Sequence, residues 1–420
     1  MKKIQISILN QTLETILKED SVSFSKKRYI HFDNRVDFKS QWKYIKNTEN
    51  IEKHTFYPLL HYVQKTKKYK VIGIDDKGHK IKDCKLKERD IFYASHRDRA
   101  IYQYYSYIIN YYYNEYMKEK SINHVAIAYR NNYKKNQGSN IFFAKKAINM
   151  IRKQDSYIIV GDFKSFFDTL NHGYLKKSLM NVLNLDSIPK DFYKVYKSVT
   201  RYVYCDLEKI KDIIEIEKNI NKNDLSNESR LCSAEEFRQW KKKYKNNYFI
   251  RKNLNNIGIP QGTSISATLS NVYMMNFDEN VYNKVKESQG AYFRYSDDFI
   301  IVLPKRYFDL KKLKQFYDFI KSEVKYIFLN LEESKTQIYE FQNEKINNIT
   351  KDILSKNKIN DERLNYLGFS FDGKYIKIRD RSISKYYCRL YKKIKNLNKQ
   401  KKKGKKDQLK KFICYIQKLE

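Results

Sequence analysis

The chain has 420 residues, 41% hydrophobic and 15% aromatic, enough to bury a large core and too aromatic for a disordered polycation. Lys+Arg 85 against Asp+Glu 48 leaves a net charge of +37, far beyond what solubility needs, which points to a polyanionic partner, most simply nucleic acid. Five cysteines without a C-x-x-C pair argue against a zinc site or disulfide framework and for a reducing, cytoplasmic setting; no apolar run reads as a membrane span or signal peptide.

Residues 1 to about 70 carry no readable pattern. From Tyr69 to Tyr93 apolar and polar residues alternate around Asp76-Lys77-Gly78, predicting a hairpin whose second strand carries Lys85, Lys87 and Arg89 on one face. Ser95 to Met117 is apolar or aromatic on nearly every side, as a helix buried within a domain is. A basic, turn-rich stretch (126–140) and a helical pattern, IFFAKKAINMI, follow. Ser156 to His172 reads as a buried strand ending at Gly161 and Asp162, with a helix starting at Phe166, Phe167 and Asp168. Residues 207–247 are polar, with Ser233 and Glu236 spaced as a capping box, and are expected to be a solvated surface insertion.

Gly258 to Ser264, GIPQGTS, is a rigid turn leading into a helix with small residues on one face. Ala291 to Leu303, AYFRYSDDFIIVL, predicts two short strands with Ser296, Asp297 and Asp298 at the turn. Adjacent carboxylates repel, and a divalent metal would remove that cost; taken alone, the pair reads equally as a solvated turn. Leu310 onward has a helical period, Leu329 to Tyr339 reads as a turn and strand carrying Lys335, Asp372-Gly373 marks another hairpin, and from Ser384 the chain is a lysine-dense helical tail.

In chain order, DFKSFFD (162–168), IPQG (259–262), YSDD (295–298), LEESKTQI (331–338) and LGF (367–369) resemble successive palm motifs of reverse transcriptases of the bacterial and group II intron lineage. SHRDRAIYQ (95–103) and AYRNN (128–132) resemble that lineage's finger motifs. Absence of the group II R-P-L/I-G-I-P string and of the retron Val-Thr-Gly and N-A-x-x-H elements leaves, by elimination, the stand-alone enzymes of antiphage defence and abortive infection.

The resemblance implies an α+β right-hand polymerase, with an antiparallel palm sheet packed by helices. Residues 1–155 would form the N-terminal region and fingers, 156–375 the palm with a surface insertion at 206–250, and 376–420 a short basic helical thumb. Asp162 and Asp297 would be the main ligands of two Mg2+ ions, with Mn2+ as a substitute, supported by Asp298 and the Phe163 carbonyl. Phe167 would exclude a ribose 2′-hydroxyl, Gln261 would touch the template side, and Arg89 with Lys87 would meet the triphosphate. Lys335 would lie near the leaving pyrophosphate; Leu367, Gly368, Phe369 and Tyr295 would contact the primer and template.

The implied activity is RNA-directed DNA synthesis from dNTPs in bacterial antiphage defence, templated by a dedicated noncoding RNA, with no membrane partner and with a partner protein or second copy left open. The alternatives are template-independent or protein-primed DNA synthesis and a non-catalytic RNA-binding scaffold.

Overall fold

A computed structural model describes residues 10–11, 13–14, 27–74, 80–130, 139–222, 224–245, 249–354 and 362–401. The turn expected at Asp76 to Gly78, the middle of the basic stretch 126–140 and the tail beyond 401 lie outside the described residues.

Two short helical segments, Trp42–Ile45 and Thr48–Lys53, precede a long hairpin, β1 (Leu59–Ile74) and β2 (Lys80–Tyr93), which is followed by the helices α1 (His96–Glu119) and α2 (Asn140–Ile151). There follow β3 (Ser156–Asp162), α3 (Phe166–Thr169), α4 (His172–Leu183), α5 (Lys190–Thr200), β4 (Val203–Asp206), α6 (Leu207–Lys218), α7 (Ala234–Lys243) and β5 (Ile250–Lys252). Then come α8 (Ser266–Tyr273), α9 (Met275–Glu287), β6 (Ala291–Tyr295), β7 (Asp298–Pro304), α10 (Leu310–Tyr326), β8 (Gln337–Gln342) and β9 (Lys345–Asn348). Three short strands, β10 (Leu364–Tyr366), β11 (Phe369–Phe371) and β12 (Ile376–Ile378), and the basic helix α11 (Asp380–Lys401) follow. The fold is α+β, with mostly antiparallel sheets and helices packed on them.

The central sheet has the order β6-β7-β3-β8-β9 and is covered on both faces, which is why β3 and β7 read as continuous apolar runs rather than alternating ones. Tyr157 and Ile159 of β3, with Phe299, Ile301 and Leu303 of β7, join the core beneath α1, α4, α8 and α9. Ile158, Ile300 and Val302 face a second core with α2, Tyr366 and Phe371. Gly161 is forced by this packing: it pairs with Phe299, and a Cβ there would lie 2.3 Å from the ring.

A second sheet, β2-β1-β4-β5, joins the long hairpin to strands from either end of segment 203–252. This corrects the expectation of a solvated insertion. Its polar faces conceal Ile210, Ile213, Ile214, Cys232 and Trp240, which form a core with Phe32 and Leu60. The capping box that opens α7 is formed in both directions.

Two boundaries also differ from expectation. The helix starting at Phe166 lasts one turn, because Leu170 turns extended and Asn171 caps a new helix, α4. Lys335 sits in a 3-10 turn before β8 rather than in a strand.

Candidate active site

The antiparallel register of β3 and β7 sets Asp162 opposite Asp298. Asp298 is the first residue of β7, so the hairpin turn consists of Ser296 and Asp297, a shorter turn than expected. Ser296 has φ +60°, a left-handed conformation that a non-glycine residue holds only when its surroundings insist. The Ser296 carbonyl accepts a 2.9 Å hydrogen bond from Arg294 Nη1.

Arg294 is wholly buried and bonded through Nε and Nη2 to both oxygens of equally buried Asp278, at 2.8 and 2.6 Å. Tyr292 donates to the same carboxylate, and Arg294 also reaches Asn271, whose amide donates to the Ala128 carbonyl. One buried network therefore ties α9, α8 and the segment after α1 to the acidic turn. Sequence reading missed it; the available signal was an arginine within a strand otherwise apolar on both faces.

Asp162 is 8% exposed, with Oδ1 lacking a hydrogen-bond partner and Oδ2 paired with Lys335 Nζ. Burial, and then Asp297, push its carboxyl up, against the pull of Lys335. Asp298 is exposed at the start of β7. Loss of hydration, followed by repulsion from Asp297 and Asp162, pushes it up to about 7. A cation would relieve that crowding.

Lys335 is delivered by chain pairing. Glu332 N donates to the Asp162 carbonyl, Lys164 N donates to that of Asn330, and Phe163 bridges Leu331. Burial opposes its charge, but Asp162 raises its pKa overall. The Phe163 side chain is buried among Phe166, Phe277 and Phe299, so only its backbone is available to the site.

Phe166 is a core residue, whereas Phe167 is only partly buried. The Phe167 carbonyl accepts from Ile259 N, and the Gln261 carbonyl accepts from Phe92 N at 2.8 Å, stitching the IPQG loop between α3 and the end of β2. Gly262 at φ +117° lies so close to Phe92 that a Cβ would be 2.5 Å from its carbonyl. Gln261 is half-buried in this junction.

On β2, Lys87 lies within electrostatic reach of Asp162 and Asp297. Burial and then the charges of Arg89 and Lys335 lower its pKa. Arg89 is exposed beside it. Leu367 and Gly368, both with positive φ, form the tight turn between β10 and β11. Their carbonyls accept from Asn140 Nδ2 and Arg379 N. Phe369 is half-buried, as is Tyr295, which pairs with Asp298. Sequence reading also missed Arg379, just after β12, whose positive charge pulls against the rise at Asp298, and Tyr366, a buried phenol that Asp298 helps keep protonated.

Among the described residues, no three His, Cys, Asp or Glu side chains enclose a metal position. The arrangement is instead open-sided, with one bare carboxylate oxygen at Asp162 and a crowded pair beyond it. Oxygen-only donors of this kind suit Mg2+ or Mn2+, which are commonly held by one or two carboxylates together with substrate phosphates.

The sequence matches the family described as reverse transcriptase (RNA-dependent DNA polymerase) over residues 89–371. No protein of curated function matches it. Among solved structures, it is similar to apo telomerase from Candida Tropicalis truncated from its C-terminal domain, at 13% identity and TM-score 0.42, covering 74% of this chain and 54% of that one. It is also similar to telomerase from Candida albicans in complex with a TWJ fragment of telomeric RNA, at 12% identity and TM-score 0.39, covering 81% of this chain and 49% of that one. The chain thus spans about half the length of these telomerase chains.

Proposed function

The chain belongs to the reverse transcriptase (RNA-dependent DNA polymerase) family, and we propose that it copies an RNA template by adding dNTPs to a DNA 3′-hydroxyl. The observation that carries this reading is the register of β3 and β7, which sets Asp162 beside the Asp297-Asp298 turn with Lys335 and Lys87 around them. Asp162 and Asp297, supported by Asp298 and the Phe163 carbonyl, are the proposed holders of two divalent ions, Mg2+ by donor type. Bound there, the ions would supply activation of the 3′-hydroxyl and stabilisation of charge on the reacting phosphate.

In this reading the chain's own residues do the rest. Lys87 and Arg89 receive the triphosphate, and Lys335 offsets charge on the departing pyrophosphate. Phe167, partly exposed beside the IPQG loop, stands against the sugar and selects deoxyribose. Gln261 contacts the template side, while Leu367, Gly368, Phe369 and Tyr295 hold primer and template. Residues 1–155 act as the N-terminal region and fingers, 156–375 as the palm and 376–420 as the thumb.

The motif resemblance further supports a bacterial antiphage role with a dedicated noncoding RNA as template. Purified protein, with the RNA that co-purifies from cells, is expected to incorporate dNTPs in MgCl2, and Asp297→Ala is expected to lose at least about 100-fold of that rate. Undiminished incorporation in Asp297→Ala would sink the assignment. Sequencing the product distinguishes copied RNA from untemplated DNA.

A further inference from the structure

A second pocket, of about 700 Å3, lies where the segment preceding β1 meets the start of α1 and helix α7. It shares no lining residue with the carboxylate site. One wall is aromatic: Phe32 stacks on Tyr57 with ring centroids 6.2 Å apart and planes 25° from parallel, and meets Phe237 at 4.8 Å. Tyr57 keeps 36% of its surface exposed, so part of this wall is uncovered.

Three arginines, Arg97, Arg230 and Arg238, complete the lining. Among the described residues none of them is paired with a carboxylate, and Arg230 makes no hydrogen bond. Arg97 is held in place, its Nε bonded to Gln41 Oε1 at 2.9 Å and its guanidinium 5.1 Å above the Tyr44 ring. The pocket's two acids are both hydrogen-bonded. Asp98, wholly buried, accepts from His54 Nε2 at 2.7 Å and from Tyr57 N at 2.9 Å. Asp33 accepts from the backbone N–H groups of His96 and Arg97. With three guanidinium groups against two carboxylates, the lining around this aromatic wall is net positive.

An aromatic wall flanked by guanidinium groups that have no carboxylate partner, Arg238 donating only to the Ala234 carbonyl at 3.2 Å, complements a planar base carrying a phosphate. Base–aromatic stacking and arginine–phosphate pairing are the two contacts such a ligand makes, and the volume lies in the range of small-ligand pockets. We propose that this pocket binds a nucleotide unit, either one nucleotide of a single-stranded RNA or a free nucleoside triphosphate, outside the polymerising site.

The test uses the full chain with two photoreactive probes, a short single-stranded oligoribonucleotide carrying 4-thiouridine and 4-thiouridine triphosphate, with adducts mapped by mass spectrometry. Adducts at Tyr57 or Phe237 are expected. They should fall at least about tenfold in Arg230→Ser/Arg238→Ser, since each lost charge-assisted contact is worth about that factor, and persist in Arg230→Lys/Arg238→Lys. Adducts from the oligonucleotide alone identify a strand as the source, and adducts from the triphosphate alone identify a free nucleotide. The absence of pocket adducts from both probes, or unchanged yield in the serine variant, overturns the proposal. Retained far-UV circular dichroism shows that the variant is folded. Because dNTP incorporation is read separately, failure of this pocket and failure of the polymerase reading give distinct results.

Discussion

Arg294 and Asp278 are each wholly inaccessible to solvent, and their bidentate contact also holds the Ser296 carbonyl at the acidic turn. Removing one partner leaves a buried charge uncompensated, which costs about 3–5 kcal/mol, whereas replacing both with apolar residues recovers much of that loss. Arg294→Met is accordingly expected to lower unfolding free energy by that amount in urea titration, and Arg294→Met/Asp278→Leu to regain stability without regaining dNTP incorporation, because Ser296 still lacks its donor. Equal recovery of stability and incorporation would show that the pair has no role in placing the turn. Asp298 gives a second residue-level expectation. Burial and the neighbouring carboxylates push its carboxyl up to about 7 from the ordinary 3.8. The folded state thus binds more protons between about pH 4 and 7, so this group's contribution to stability is present below that window and is lost as pH rises through it. Thermal melts in EDTA should fall across the window with a steeper slope than in Asp298→Asn, and MgCl2 should raise the wild-type melting temperature more at pH 8 than at pH 5. Identical slopes in the two proteins would remove Asp298 as the cause.

At the scale of elements, the pairing of β3 with β7 is the piece on which the site depends, and Gly161 is its tightest point. A methyl group there would meet the Phe299 ring at 2.3 Å, one residue before Asp162. Gly161→Ala is expected to cost about 1–3 kcal/mol through overpacking, and Gly161→Ala/Phe299→Leu to recover part of it by making room, both measured by urea unfolding. A neutral Gly161→Ala would mean that the strands separate more freely than their packing implies. Other elements show where local patterns stop being informative. The α7 capping box is a local interaction between residues three apart, so its spacing alone identified it. The core of segment 203–252 is not wholly local: Trp240 and Ile213 share it with Phe32 and Leu60, far away in the chain. A polar-looking stretch with few apolar residues per turn could not announce that partner.

Across the whole molecule, the order of motifs, the buried helix after Ser95, the strand ending at Asp162 and the Asp297-Asp298 hairpin were all legible, because each depends on a short period or a fixed spacing. The α+β class and family membership follow from the same information. What no local pattern carried was which side chains meet. Lys87 lies within electrostatic reach of the carboxylates, and Lys335 pairs with Asp162. The Arg294–Asp278 network and the arginine-rimmed pocket likewise assemble from segments far apart in the chain. The sequence by itself determined the elements with a clear local period and singled out the acidic residues as candidates, since hydrophobic period and turn chemistry act within a few residues. Only the tertiary structure decided their partners, burial and charge state, because these depend on strand register and on groups that folding alone brings together.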